Sequence, residues 1–148
     1  MELTPAVLRS FIRDTSSLNK VFAGVEFQDS DYAAAILWGD EKQASIPPFM
    51  EGFSASDLPV DLRRIGALAS LFEMAYLLEI RNMSNLSEQG VPVPVGENAL
   101  VYERLHTKYE GMFEKKVADF KVVWNMQAAI RRQYGIYEQY KARAEGNY

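Results

Sequence analysis

His106 is the one imidazole in the chain, and it stands beside Leu105 inside a helical pattern. A lone histidine cannot build a His-rich metal site. It could act as a general base, but no serine or cysteine is spaced near it as a nucleophile. A surface or packing role is expected. Carboxylates are more plentiful, at Asp29/Asp31, Asp40/Glu41 and Glu110/Glu114. Acidic pairs one turn apart can hold metal when they face inward in a bundle, but di-metal bundles also need Glu-x-x-His on two helices. Glu103-Arg-Leu-His106 supplies that motif once. The Gly-x-x-x-x-Gly-Lys phosphate loop, the Gly-x-Ser-x-Gly elbow and His-Glu-x-x-His are all absent. With no cysteine there is no disulfide, thiol nucleophile or cysteine metal site, which fits a reducing compartment. The expectation is a protein that is not an enzyme, with no catalytic residue, cofactor or metal.

Binding chemistry is better represented. Trp124, Arg131, Arg132, Tyr134, Tyr137 and Tyr140 crowd the C-terminal segment. These residue types bury large areas while keeping a polar handle, as interface hot spots do. The same types can stack on and neutralise single-stranded nucleic acid, or can belong to an ordinary terminal helix packed on the core. A second candidate contact is the stretch Val91, Pro92, Val93 and Pro94, which lies between Gly90 and Gly96. Pro92 and Pro94 cannot donate to a central ladder, so an exposed loop or an edge-type hairpin is expected there.

Charge separates the same two regions. Residues 121–148 carry five basic and two acidic side chains, a net +3; the preceding 120 carry eleven basic and eighteen acidic, a net −7. Such asymmetry marks a terminal segment with its own partner, or a solvated helix with chance charges. The total of −4 is too mild for a chain-wide nucleic-acid surface. At 148 residues and 48% apolar, one domain with a real core is expected. The N-terminus MELTPAVLRS does not look like a secretory signal. No stretch approaches the roughly 20 apolar residues of a membrane span; the longest, Ile65–Leu78, is broken by Glu73.

The positioning elements read as helices. Thr4 is suited to cap a helix over Pro5–Arg13, with Pro5 at the first position and Val7, Leu8, Phe11 and Ile12 on one stripe. Asp29 or Ser30 is placed to cap a second helix through Tyr32–Trp38, weakened but not ended by Gly39 and stopped by Pro47-Pro48. A loop follows from Phe49 to Leu58. The third helix, from Pro59 or Asp61 to about Asn82 or Leu86, is the expected spine. Leu62, Ile65, Ala69, Phe72 and Tyr76 share a face that Leu68, Leu71, Ala75 and Leu78 widen, so neighbours should cover several sides. Gly66, Ala67, Ala69, Ser70 and Ala75 would let them come close. A fourth helix is expected from about Asn98 to Phe120, carrying Tyr102, Leu105, Tyr109, Met112 or Phe113, Val117 and Phe120 at helical spacing. Met126–Ala144 is expected to be mostly helical, either continuous or interrupted at Gly135. The fold class is therefore all-α: a bundle of about four helices over residues 1–120 and a C-terminal docking arm over 121–148.

Leu8-Arg-Ser-Phe-Ile-Arg-Asp14, then Asp29-Ser-Asp31 before an alanine-rich helix, Pro47-Pro48, a long apolar helix, a Gly/Val/Pro loop and a Tyr-rich helix running into Asp119-Phe-Lys-Val-Val-Trp-Asn125 form a recognisable order. This order resembles the head-to-tail adaptor, connector or neck proteins of tailed bacteriophages. The resemblance implies a structural virion protein, made in the host cytoplasm and placed in the neck between head and tail. It implies a ring of copies, typically a dodecamer, beneath the portal protein. Such a ring extends the DNA channel, and DNA passes through its lumen without sequence-specific binding. The C-terminal arm would dock on the portal, and Val91, Pro92, Val93 and Pro94 would meet a neighbouring ring or a neck or tail completion protein. No membrane is implied. An acidic body suits a lumen along which DNA slides, because like charge opposes tight phosphate contact. The rival readings are a non-viral helical adaptor or regulatory module and a small nucleic-acid-binding helical domain.

Overall fold

The structure, a computed structural model, describes residues 2–14, 27–88 and 97–145. It is all-α: helices α1 (Pro5–Ile12), α2 (Asp29–Lys42), α3 (Val60–Glu88) and α4 (Glu97–Glu145) are joined by 3₁₀ turns at Gln43–Ser45 and Ala55–Asp57, with no strand among the described residues. Val91, Pro92, Val93 and Pro94, expected as an exposed loop or hairpin, lie outside the described residues.

Local chemistry sets the helix ends. Thr4 Oγ1 accepts from the Val7 N–H at 3.3 Å, Pro5 takes the first turn, and Arg13 in the left-handed region (φ 56°) closes α1 one residue early. Gln28, rather than Asp29 or Ser30, caps α2: Asp31 reaches back to accept from the Gln28 N–H at 2.8 Å. Asp29 is thereby free to turn sideways and accept from Arg9 Nη2 at 2.6 Å, tying α1 to α2. Helix α2 continues through Gly39 to Lys42 and tightens into a 3₁₀ turn ahead of Pro47-Pro48.

Helix α3 is the spine. Six consecutive residues, Gly66 to Leu71, are buried, which a helix achieves only when neighbours cover it on every side. The small residues make this possible. A Cβ on Gly39 would lie 2.6 Å from Ala67 N and Gly66 C, and a Cβ on Gly66 would lie 2.7 Å from Cε2 of Phe113. Three helices thus meet through two glycines and one phenyl ring. Leu78 departs from the expected apolar face and is exposed, as are Leu77 and Ile80. Helix α2, with 14 residues, spans about 21 Å, against about 44 Å for the 29 residues of α3, so it cannot cover the whole spine.

Helix α4 corrects the expected organisation. It is one helix of 49 residues, about 74 Å long, that neither ends at Phe120 nor breaks at Gly135. Its first half packs on α3: Phe72 stacks between Tyr102 and Tyr109 with centroids 6.3 and 5.8 Å away. A second core cluster joins Ile46, Leu58, Phe113 and Val117 around the join of α2 and α3.

Candidate partner interface

The titratable residues of the body spend their chemistry on each other. Arg63 Nε and Nη2 donate to the two oxygens of Asp40 at 2.9 and 2.6 Å, a fork that staples α3 to α2. The hydrogen bond to Asp40 raises Arg63 above its ordinary pKa, against the effect of burial. Lys42 Nζ donates to Glu73 at 2.8 Å and Glu110 at 3.1 Å, linking α2, α3 and α4. Burial lowers the Lys42 pKa, but the bonds and charges of the two carboxylates outweigh it and the net shift is upward. His106 sits 3.1 Å from Glu110 through Nε2 and 3.1 Å from the Ala69 carbonyl through Nδ1. It is therefore a half-buried packing residue between α4 and α3. Among the described residues no group of three or more His, Asp or Glu is placed to hold a metal ion. A cleft of about 510 Å³ is lined by Ser45, Pro47, Gly111, Glu114 and Lys115, and Ser45 Oγ donates to the Lys42 carbonyl at 2.8 Å.

Lys121 is a residue whose role the sequence did not show. It is 2% exposed and donates to the backbone carbonyls of Gln43 at 2.5 Å and Ile46 at 2.7 Å. Its Nζ lies 5.3 Å from the Phe53 ring centroid. Burial lowers its pKa. This lysine pins the 3₁₀ turn after α2 onto α4, and it marks the last point at which α4 is anchored deeply in the body.

The expected docking residues are spread around α4 rather than gathered on one face. Trp124 turns to the body and meets Phe53 edge-on at 5.3 Å, a partner in the loop before α3 that periodicity could not reveal. Arg131, Arg132 and Tyr134 are exposed. Tyr137 and Tyr140 lie on the helix, with side chains outside the described set. The second expected contact, Val91, Pro92, Val93 and Pro94, falls in the stretch before α4 that lies outside the described residues, so it joins no part of this surface. At about 100° per residue, Arg131 and Arg132 fall on the opposite side of the helix from a second group. That group is Val122, Val123, Met126, Ile130, Tyr134 and Ile136, all exposed, with Met126 at 61%, Ile130 at 57% and Tyr134 at 68%. The signal for it was present as apolar residues three and four apart, but periodicity alone reports a face and not whether that face is covered.

The arm beyond Trp124 thus projects from the body with its apolar side in solvent and its arginines on the other. Contiguous exposed apolar surface of this kind marks interaction sites. Among the described residues no helix is long and apolar enough to cross a membrane. No protein-family model, curated protein or solved structure matches the chain.

Proposed function

We propose that this chain is a structural assembly protein without catalytic activity or cofactor, acting as a head-to-tail adaptor in the neck of a tailed bacteriophage. In this reading copies form a ring beneath the portal protein, the α4 arm docks on the portal, and Val91, Pro92, Val93 and Pro94 meet the next neck or tail component. The observation that carries the reading is the arm itself: a basic, aromatic, exposed continuation of the longest helix, attached to an acidic body. An enzyme has little use for a helix that leaves Met126, Ile130, Tyr134 and Ile136 exposed, whereas an assembly protein needs a surface whose burial waits for a partner. In the body, Arg63, Lys42 and His106 pair with carboxylates across helices, a use of charge that holds a scaffold together and supports the same conclusion.

The experiment is electron microscopy of the full chain mixed with a candidate portal protein, with Arg131→Glu/Arg132→Glu as the comparison. Attached rings that the double variant weakens are expected. A wild-type chain that never attaches to a portal, and instead binds single-stranded nucleic acid through the same arginines, overturns the reading in favour of the nucleic-acid module. Attachment to a single cellular protein favours the non-viral adaptor.

A further inference from the structure

We infer that His106 is a proton-operated clamp: its doubly protonated ring ties α4 to the spine helix α3, and loss of one proton opens that tie. Both ring nitrogens meet groups that accept. Nδ1 lies 3.1 Å from the Ala69 carbonyl oxygen, and Nε2 lies 3.1 Å from Oε2 of Glu110. A carbonyl oxygen carries no proton, so Nδ1 is the donor in the first contact. In a neutral imidazole the other nitrogen then bears a lone pair. That lone pair would stand against a carboxylate oxygen, two electron-rich atoms with no hydrogen between them. With a second proton on the ring the same contact becomes an ion pair.

Glu110 serves as an acceptor on both sides. Its other oxygen, Oε1, accepts from Lys42 Nζ at 3.1 Å, and Lys42 also donates to Glu73 at 2.8 Å. Four groups on three helices thus form one chain of contacts: His106 and Glu110 on α4, Lys42 on α2 and Glu73 on α3. With a neutral His106 this chain sets two carboxylates against one cation. With an imidazolium it balances, two against two. Of the other charged residues near His106 on α4, Glu103, Arg104 and Lys108 are exposed to solvent, so the balance is struck among these four.

The ring is placed where its charge affects packing. The His106 side chain is 18% exposed, and Tyr102 and Tyr109 lie one turn to either side of it on the same face. Phe72 of α3 stacks between those two tyrosines, and Ala69 belongs to the run of α3 that is buried all round. The clamp therefore acts on the contact that seats the first half of α4. Its pH dependence has a definite sign. An imidazole in an unfolded chain releases its proton at about pH 6.5. The folded chain holds the second proton through Glu110, so the clamp stabilises fully below that value and its contribution is lost as pH rises. This holds whatever the α4 arm binds.

His106 is the one histidine of the chain, so nitrogen NMR of the full chain reads its ring without overlap. At pH 7 the wild type should show both ring nitrogens protonated. Glu110→Gln keeps the side-chain length and removes the negative charge, and it should show a neutral ring at the same pH. His106→Gln keeps a neutral donor for the Ala69 carbonyl and loses only the charge. Its melting temperature should lie several degrees below wild type at about pH 5.5, and the gap should close as pH rises to about 8.5. A neutral ring in the wild type at pH 7 overturns the inference, as does a ring that stays doubly protonated in Glu110→Gln. So does a melting gap of equal size at both pH values, the signature of a histidine that only fills space. The wild-type spectrum needs no variant and decides the matter even where a substitution prevents folding.

Discussion

Gly39→Ala places a methyl group where two helices touch backbone to backbone. The new Cβ would lie 2.6 Å from both Ala67 N and Gly66 C and 2.9 Å from Gly66 O, so α2 and α3 must separate by several tenths of an ångström or more. Overpacking of this kind costs about 1–3 kcal/mol. The upper end applies, because the opposing atoms are main chain and cannot rotate away. Alanine returns about 1 kcal/mol in helix propensity, leaving a net loss of about 2 kcal/mol. Gly66→Ala meets the Phe113 ring instead, at 2.7 and 2.8 Å. That ring can tilt, so its net loss should be smaller, about 1 kcal/mol or less. Gly111→Ala has nothing within 4 Å and should be stabilising by about 0.5–1 kcal/mol. At about 2–4 °C per kcal/mol for a chain of this size, Gly39→Ala should melt about 4–8 °C below wild type. Gly111→Ala should melt slightly above it. Circular dichroism melts of the three variants share one propensity gain and differ only in contact. If Gly39→Ala melts at or above wild type, the close crossing of α2 and α3 is wrong.

Leu68→Asp should unfold the chain at room temperature, because it buries an unpaired charge at a position 1% exposed inside the spine; a wild-type far-ultraviolet spectrum would refute the burial. For Lys121 the pH dependence is the test. Its pKa is lowered on folding, so the unfolded chain holds that proton more tightly and stability attributable to Lys121 rises with pH up to the unfolded value near 10.5. The stability of wild type minus that of Lys121→Met should therefore increase between pH 7 and pH 10 in denaturant titrations, and a flat difference would contradict the buried cation. Lys42, raised on folding, behaves oppositely. Its contribution is complete below 10.5 and is lost as pH rises from there through its folded value, so Lys42→Met should show no such slope between pH 7 and pH 10.

Much of the body could be read from the sequence because its signals are local. Thr4-Pro5 and Pro47-Pro48 mark helix ends through single-residue geometry, and the small residues from Gly66 to Ala75 announce a closely packed spine. What escaped depends on partners distant in sequence. Helix α4 reads as divided at Phe120 because its apolar stripe changes side there, from Phe113, Val117 and Trp124 facing the body to Met126 and Ile130 facing outward. A stripe that rotates suggests two helices, yet main-chain hydrogen bonds do not depend on what the side chains face, and the backbone continues. Lys121 counts in the sequence only as one of five basic residues of the C-terminal segment; its burial depends on Gln43 and Ile46, more than 70 residues away, which present their carbonyls to it. The docking residues stand out by type, as Trp, Tyr and Arg, and type does not reveal direction: Trp124 is drawn to Phe53.

The central claim is that the body is complete without the arm and that the arm exists for assembly. The direct measurement is the melting temperature and the sedimenting mass of the same chain shortened after Asn125, which keeps Lys121 and Trp124. The account expects a melting temperature within about 2 °C of the full-length monomer, since the cut removes no residue of either core cluster, together with complete loss of self-assembly. A body destabilised by several kcal/mol, or one that still assembles, would contradict it.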